Sequence, residues 1–228
     1  MKTSENVIWF FGRPILGGSG AIATRLRSYG TERIPRSGGL VIAINHFSWI
    51  DIPCIGWTCK RNIYFLAKVE AHGVLGLGQL IRGFGTISVR RGESDRDAVR
   101  RMRDVVRAGD VLGVFVEGTR QRSGVPGHVK PGAAMAAIQG EVPVICAAIH
   151  GSQDWKTVNF APVSIAWSEP MRFDDLPRGA KGYRAASEQI EAELHRLWAW
   201  LRDLHEAGRP RDAVPPKRED SASATLSA

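Results

Sequence analysis

Apolar residues fall in short unbroken runs separated by polar and glycine-rich stretches. The runs of strand length are Leu40–Ile44, Ile63–Leu66, Thr86–Val89, Val111–Val116, Val142–Ala148 and Val163–Trp167, and their continuous apolarity predicts buried strands. Helical periodicity appears between several of them. Residues 93–107 set Val99, Met102 and Val106 on one face, with Arg and Asp on the other. Pro131–Gln139 predicts a short helix with proline in its first turn. Residues 182–207 predict a long one, with Tyr183, Ile190, Leu194, Leu197, Leu201 and Leu204 at three- and four-residue steps, a stripe that reads as core packing. Strands alternating with helices imply a single α/β domain with a mixed, largely parallel sheet flanked by helices.

Three segments follow. Residues 1–36 form a lead-in broken by Gly12, Pro14, Gly17, Gly18 and Gly20, residues 37–208 the domain proper, and residues 209–228 a tail with too little apolar content to order itself. The lead-in carries Val7–Phe11 and Ile15–Leu16, followed by Arg25, Arg27 and Arg33. Such a cluster suits a membrane interface and equally suits packing on the domain's own core. No run of about 18 apolar residues is present, so a simple membrane-spanning helix is not expected.

Composition changes the picture in two places. A net charge of +8 points to anionic partners, whether nucleic acid, lipid headgroups or phosphorylated substrates. The Arg-rich stretch 90–107 also holds Glu93, Asp95, Asp97 and Asp104, and no RNP or helix-turn-helix signature is present, so a nucleic-acid partner is not expected. Cys54, Cys59 and Cys146 form no CxxC pair, which argues against a disulfide framework and for a reducing compartment. The scattered histidines do not offer metal-ligand spacing.

Candidate chemistry clusters where strands end. Leu40–Ile44 runs into Asn45-His46-Phe47-Ser48-Trp49-Ile50-Asp51. A histidine with a carboxylate five residues on is the least a general base requires: the imidazole takes the proton, and the carboxylate fixes its tautomer. A capping aspartate beside a structural histidine fits the bare pair as well. Phe65-Leu66-Ala67-Lys68 places a lysine past another strand, and Gly85–Val89 leads into Arg90 and Arg91. Val111–Val116 leads into Glu117-Gly118-Thr119-Arg120, where glycine lets backbone approach a ligand, arginine grips an anion and glutamate holds either the arginine or a substrate hydroxyl. If these strand ends share one edge, His46, Lys68, Arg90 and Arg120 converge as a phosphate-bearing alcohol would need.

The ordered blocks NHFSWID, GTISVR, FVEGTR and VPVICAA resemble the four motifs of the glycerolipid acyltransferases, closest to the 1-acyl-sn-glycerol-3-phosphate acyltransferases, over roughly residues 35–150. Two positions depart from that pattern: Val116 stands where proline is usual before the glutamate, and a second proline commonly found in the fourth block is replaced around Cys146. Both bear on acceptor preference. The resemblance implies a glycerol-3-phosphate acyltransferase-like α/β fold, His46 as general base and Asp51 as its orienting partner. It further implies that Arg90, Glu117, Gly118, Thr119 and Arg120 shape the acceptor site, with Lys68 as a further phosphate ligand. The implied substrates are a lysophospholipid and an acyl thioester of coenzyme A or acyl-carrier protein, with no metal or other cofactor. The implied place of work is the cytoplasmic membrane face, with Trp9, Phe10 and Phe11 as interfacial anchors and Trp198 and Trp200 as packing residues.

Overall fold

The computed structural model describes residues 3–68, 85–89, 96–157 and 159–218. The strands are β1 (Arg27–Tyr29), β2 (Leu40–Ile44), β3 (Ile63–Lys68), β4 (Ile87–Val89), β5 (Val111–Phe115), β6 (Val144–His150) and β7 (Ser164–Trp167). The helices are α1 (Thr3–Gly12), α2 (Gly18–Ala23), α3 (Asp51–Thr58), α4 (Arg96–Arg107), α5 (Gly132–Gly140) and α6 (Ala180–Glu206). One sheet runs in the order β1-β7-β6-β2-β5-β3-β4. β6, β2, β5, β3 and β4 are mutually parallel, whereas β7 opposes β6 and carries β1 parallel to itself. The expected α/β fold with a mixed, largely parallel sheet is therefore observed.

β2 lies at the centre and all five of its residues are buried, which explains its unbroken apolar run: a strand covered on both faces has no side on which to place polar groups. Val41 and Ala43 face a layer containing Met102, Val106, Ala133, Ile190 and Leu197, whereas Leu40, Ile42 and Ile44 face one with Trp9, Cys54 and Ile55. Helices thus cover both faces, α4–α6 on one and α1–α3 on the other. On α4, Met102 and Val106 are buried as expected. The stripe on α6 is buried at Ile190, Leu194, Leu197, Leu201 and Leu204, and Trp198 and Trp200 pack against it. All three cysteines are free and buried, and burial pushes the Cys54 thiol up to about 12.

Several elements lie beyond the apolar pattern. The lead-in is helical from Thr3 to Ala23, with a π turn at Arg13–Gly17 where Pro14 interrupts the ladder; Gly12, Gly17 and Gly18 all keep right-handed helical dihedrals, so the run bends without ending. β1 and α3 were hidden too, β1 because three residues carry no period and α3 because Pro53 and Gly56 disguise it. β6 begins two residues later than expected because the Val142 N–H is spent on Ala137 O at the end of α5, and Pro143 has none.

Two expectations need correction. Trp9 is 5% exposed and packs into the core, whereas Phe10 and Phe11 are 74% and 58% exposed; a helix turns about 100° per residue, so three consecutive aromatics cannot share one face. The chain from 209 to 218 does not fray. Arg209 is buried, Arg33 donates to Pro215 O and Pro216 O, and Arg196 also holds Pro216 O. Tertiary hydrogen bonds there supply what the segment's own apolar content lacks; residues 219–228 lie outside the described residues. No helix among the described residues is long and apolar enough to cross a membrane.

The burial difference is measurable. Trp9→Ala should lower unfolding free energy by about 3–5 kcal/mol in urea titrations. Phe10→Ala should change it by less than about 0.5 kcal/mol. Equal effects would contradict the inward placement of Trp9.

Candidate active site

The parallel strands end on one edge of the sheet, and the loop after β2 is held there by backbone contacts. Asn45 is fully buried: its Oδ1 accepts the Ile149 N–H at 2.7 Å and its Nδ2 donates to Ile149 O at 3.0 Å. A side-chain amide thus continues the β2–β6 pairing one step past Ile44, where the backbone leaves the ladder. From β5, the Val116 N–H reaches Ile44 O at 3.0 Å and the Gln121 N–H reaches His46 O at 2.7 Å. Proline at 116 could not make the first of these bonds.

His46 is 7% exposed. Its Nδ1 lies 2.9 Å from Asp51 Oδ2, an oxygen that also accepts the N–H groups of Phe47 at 2.8 Å and Ser48 at 2.9 Å. Asp51 opens α3, where the helix N-terminus favours negative charge. With a carboxylate on Nδ1, the network assigns the proton there and leaves the Nε2 lone pair free to accept another. The imidazole stacks on Phe115 at a centroid separation of 4.0 Å, and Phe115 stacks on Phe65 at 5.9 Å. Gly113 makes room for this: a Cβ there would lie 2.7 Å from the Phe65 ring and 2.8 Å from Ile63.

Among the described residues no arginine pairs with Glu117. Its Oε2 accepts the His46 N–H at 2.7 Å and its Oε1 the Gly127 N–H at 2.9 Å, so this buried carboxylate ties the His46 loop to the 118–130 loop. Burial pushes it up to about 7 against the pull of both N–H groups, and Asp51 adds to the rise. Gly118 adopts φ +74°, a left-handed conformation that favours glycine, with the tip of Lys130 close by. Thr119 and Arg120 are exposed in the turn beyond.

The structure therefore brings His46, Asp51, Glu117 and Gly118 together. The Lys68 backbone ends β3 on the same edge and pairs with Val89, but its side chain and Arg90 lie outside the described residues. Asn45, Phe65, Gly113 and Phe115 escaped the sequence reading. Asn45 stands beside the histidine in the motif, yet only the fold shows its partner, and the aromatics look like ordinary core residues.

Glu117 makes stability depend on pH. A carboxyl raised in the fold contributes fully below its unfolded value of about 4.5, and that contribution is lost as pH rises through about 7. The stability advantage of wild type over Glu117→Gln should therefore shrink by about 1–3 kcal/mol between pH 5 and pH 8 in urea unfolding. A pH-independent difference would show that Glu117 titrates normally.

Known proteins resemble this chain in sequence and in fold. A family model described as Acyltransferase matches residues 25–150, more than half of the chain. A 1-acyl-sn-glycerol-3-phosphate acyltransferase of Bacillus subtilis is 27% identical over 132 residues, which span 58% of this chain and 65% of that protein. A lyso-ornithine lipid O-acyltransferase of Pseudomonas aeruginosa is 36% identical over 86 residues, 37% of this chain and 32% of its own. The matched stretches thus cover less than two thirds of either relative. The crystal structure of the 1-acyl-sn-glycerophosphate (LPA) acyltransferase PlsC from Thermotoga maritima shares the fold, with a TM-score of 0.70 at 23% identity over 89% of this chain and 84% of that one. With its buried His46–Asp51 pair at the edge of a mixed sheet and a family match spanning that edge, this chain belongs to the acyltransferase family.

Proposed function

We propose that the protein transfers an acyl chain from an acyl thioester, carried by coenzyme A or acyl-carrier protein, to the free sn-2 hydroxyl of 1-acyl-sn-glycerol-3-phosphate, giving phosphatidic acid. The observation that carries this reading is the His46 imidazole, held through Nδ1 by a buried carboxylate with Nε2 left to act. In the proposed reaction Nε2 takes the acceptor hydroxyl proton as the oxygen attacks the thioester carbonyl. The tetrahedral oxyanion then collapses, the C–S bond breaks, and the imidazolium returns its proton to the departing thiolate. Asp51 stabilises the imidazolium between these steps. The proposal draws on no metal or other cofactor.

The acceptor phosphate is assigned to Arg120, Arg90 and Lys68, with Glu117 and Gly118 shaping the loop that carries Arg120 and Thr119. Guanidinium groups suit a phosphomonoester because their fork matches two oxygens. The acceptor and product are lipids, and the lead-in helix supplies a way to meet them: Phe10, Phe11, Ile15, Leu16 and Ile22 are all exposed. Exposed apolar side chains gathered on one helical run suit insertion into a membrane interface, so peripheral attachment is part of the proposal. A second acceptor, lyso-ornithine lipid, is favoured by the 36% identity to an enzyme named for it. That lipid carries no phosphate.

With lysophosphatidic acid and labelled acyl-CoA, His46→Ala should lose at least about 100-fold in turnover. Near-normal turnover, or a burst of free thiol without acceptor, would remove the direct-transfer mechanism. Lyso-ornithine lipid outperforming lysophosphatidic acid in the same assay would give the acceptor site to the second reading. The variant Phe10→Ser/Phe11→Ser/Ile22→Ser should remain folded yet lose most sedimentation with phospholipid vesicles. Full co-sedimentation would place the membrane contact elsewhere.

A further inference from the structure

Residues from the lead-in and from the segment after α6 build a second basic site. Arg25, Arg27, Arg209 and Arg211, with Tyr29, line a cleft of about 690 Å³. Arg209 is buried and fixed: its Nε donates to Ser164 Oγ at 3.0 Å, and its Nη2 to Arg25 O and Val163 O at 2.8 Å each. Arg25 and Arg27 hold weaker contacts, to Phe160 O at 3.3 Å and Gly208 O at 3.4 Å. Among the described residues no carboxylate forms an ion pair with any of the four. Burial draws Arg209 down to about 10, partly opposed by Tyr29, with Arg27 and Arg25 pushing it further down. The Tyr29 hydroxyl is buried beside Ser164, whose Oγ also meets Arg209 Nε and His205 Nε2. Cations gathered without a counter-charge favour an anion, and guanidinium forks favour phosphate.

The topology sets this cleft on the catalytic edge. Arg27 pairs with Ser164, and Ser164 with His150. β7 and β1 run opposite to β6 and β2, so β1 begins on the edge where β2 ends. β1 and β2 stand three strand spacings apart, about 14 Å at roughly 4.8 Å per spacing. Aromatic side chains bridge the interval. Trp49, beside His46 in the loop and 55% exposed, meets Trp155 edge to face at 5.5 Å, and the Trp155 indole donates to Ala23 O at 3.0 Å, two residues before Arg25.

That separation excludes the acceptor's own phosphate, which lies only a few bonds from the reacting hydroxyl. It suits the donor. Coenzyme A and acyl-carrier protein present the thioester on the same phosphopantetheine arm, whose pantoyl, β-alanyl and cysteamine units reach about 15 Å when extended, by ordinary chain dimensions. We infer that the Arg25–Arg27–Arg209–Arg211 cleft holds the phosphate end of the thioester donor, with the arm lying over the exposed Trp49 and the thioester at His46. This rests on the acyl-transfer reading above. A bilayer lipid headgroup is the other source of phosphate, because Ile22 is exposed beside Ala21 at the rim.

The test uses Arg25→Gln/Arg211→Gln in the full chain, leaving the structural Arg209 intact. Titration calorimetry with free coenzyme A, without lipid, should show Kd weakened about tenfold. The KM for acyl-CoA should rise by a similar factor while the KM for lysophosphatidic acid stays unchanged. With acyl-pantetheine, which lacks the phosphate, the wild-type advantage should shrink to about unity. Unchanged coenzyme A affinity and donor KM overturn the inference, and accompanying loss of vesicle binding would give the cleft to lipid headgroups. A wild type that binds coenzyme A through these arginines but acylates no acceptor would sink the proposed function while upholding the cleft.

Discussion

A carboxylate removed from water is stable only where hydrogen-bond donors replace its lost hydration, and Asp51 shows how much local structure that requirement commands. Its Oδ2 gathers the N–H groups of Phe47 and Ser48 together with His46 Nδ1. The loop must wrap around the carboxylate to deliver those donors, and the wrapping turns the imidazole so that its far nitrogen is left over. Asp51 is held in turn at the start of α3, whose packing against the lead-in helix closes one face of the sheet. The imidazole, its tautomer and the loop are one construction.

Two further restraints prevent that construction from drifting. Asn45 pins the strand end laterally to Ile149, and Glu117 pins the His46 N–H from the opposite side while holding Gly127. The ring is fixed by a third device, the stack of Phe65 on Phe115 on His46, which exists because Gly113 carries no side chain. Backbone and ring are thus located by different side chains, the backbone by Asn45 and Glu117 and the imidazole by Asp51, Phe115 and Phe65.

The same edge serves other groups because the sheet is mixed. Reversing β7 and β1 brings the start of β1 to the edge where β2, β5 and β6 finish, so the lead-in enters the sheet on the same edge as the His46 loop. The arginines that follow the lead-in helix are thereby placed on the same edge as His46, three strands away. The chain after α6 returns there as well, where Arg209 locks it to Ser164 and Val163.

Strand runs such as Leu40–Ile44, the stripe on α6 and the ordered motif blocks were legible from the amino-acid order, because burial on two faces and helical period leave a local imprint. The His46–Asp51 pairing was legible for a similar reason: five residues around one turn keep partners close in sequence. Groups that meet across long separations left no such imprint. Asn45 finds Ile149, Glu117 finds the His46 amide, Phe65 depends on Gly113, and Arg25 gathers with Arg209. Trp9 and Phe10 are adjacent and alike in chemistry, yet one is core and the other surface. The sequence by itself determined the α/β class, the family resemblance and the pairing of His46 with Asp51. Only the tertiary structure decided which groups hold His46 in place, since those contacts exist only once separate strands lie side by side.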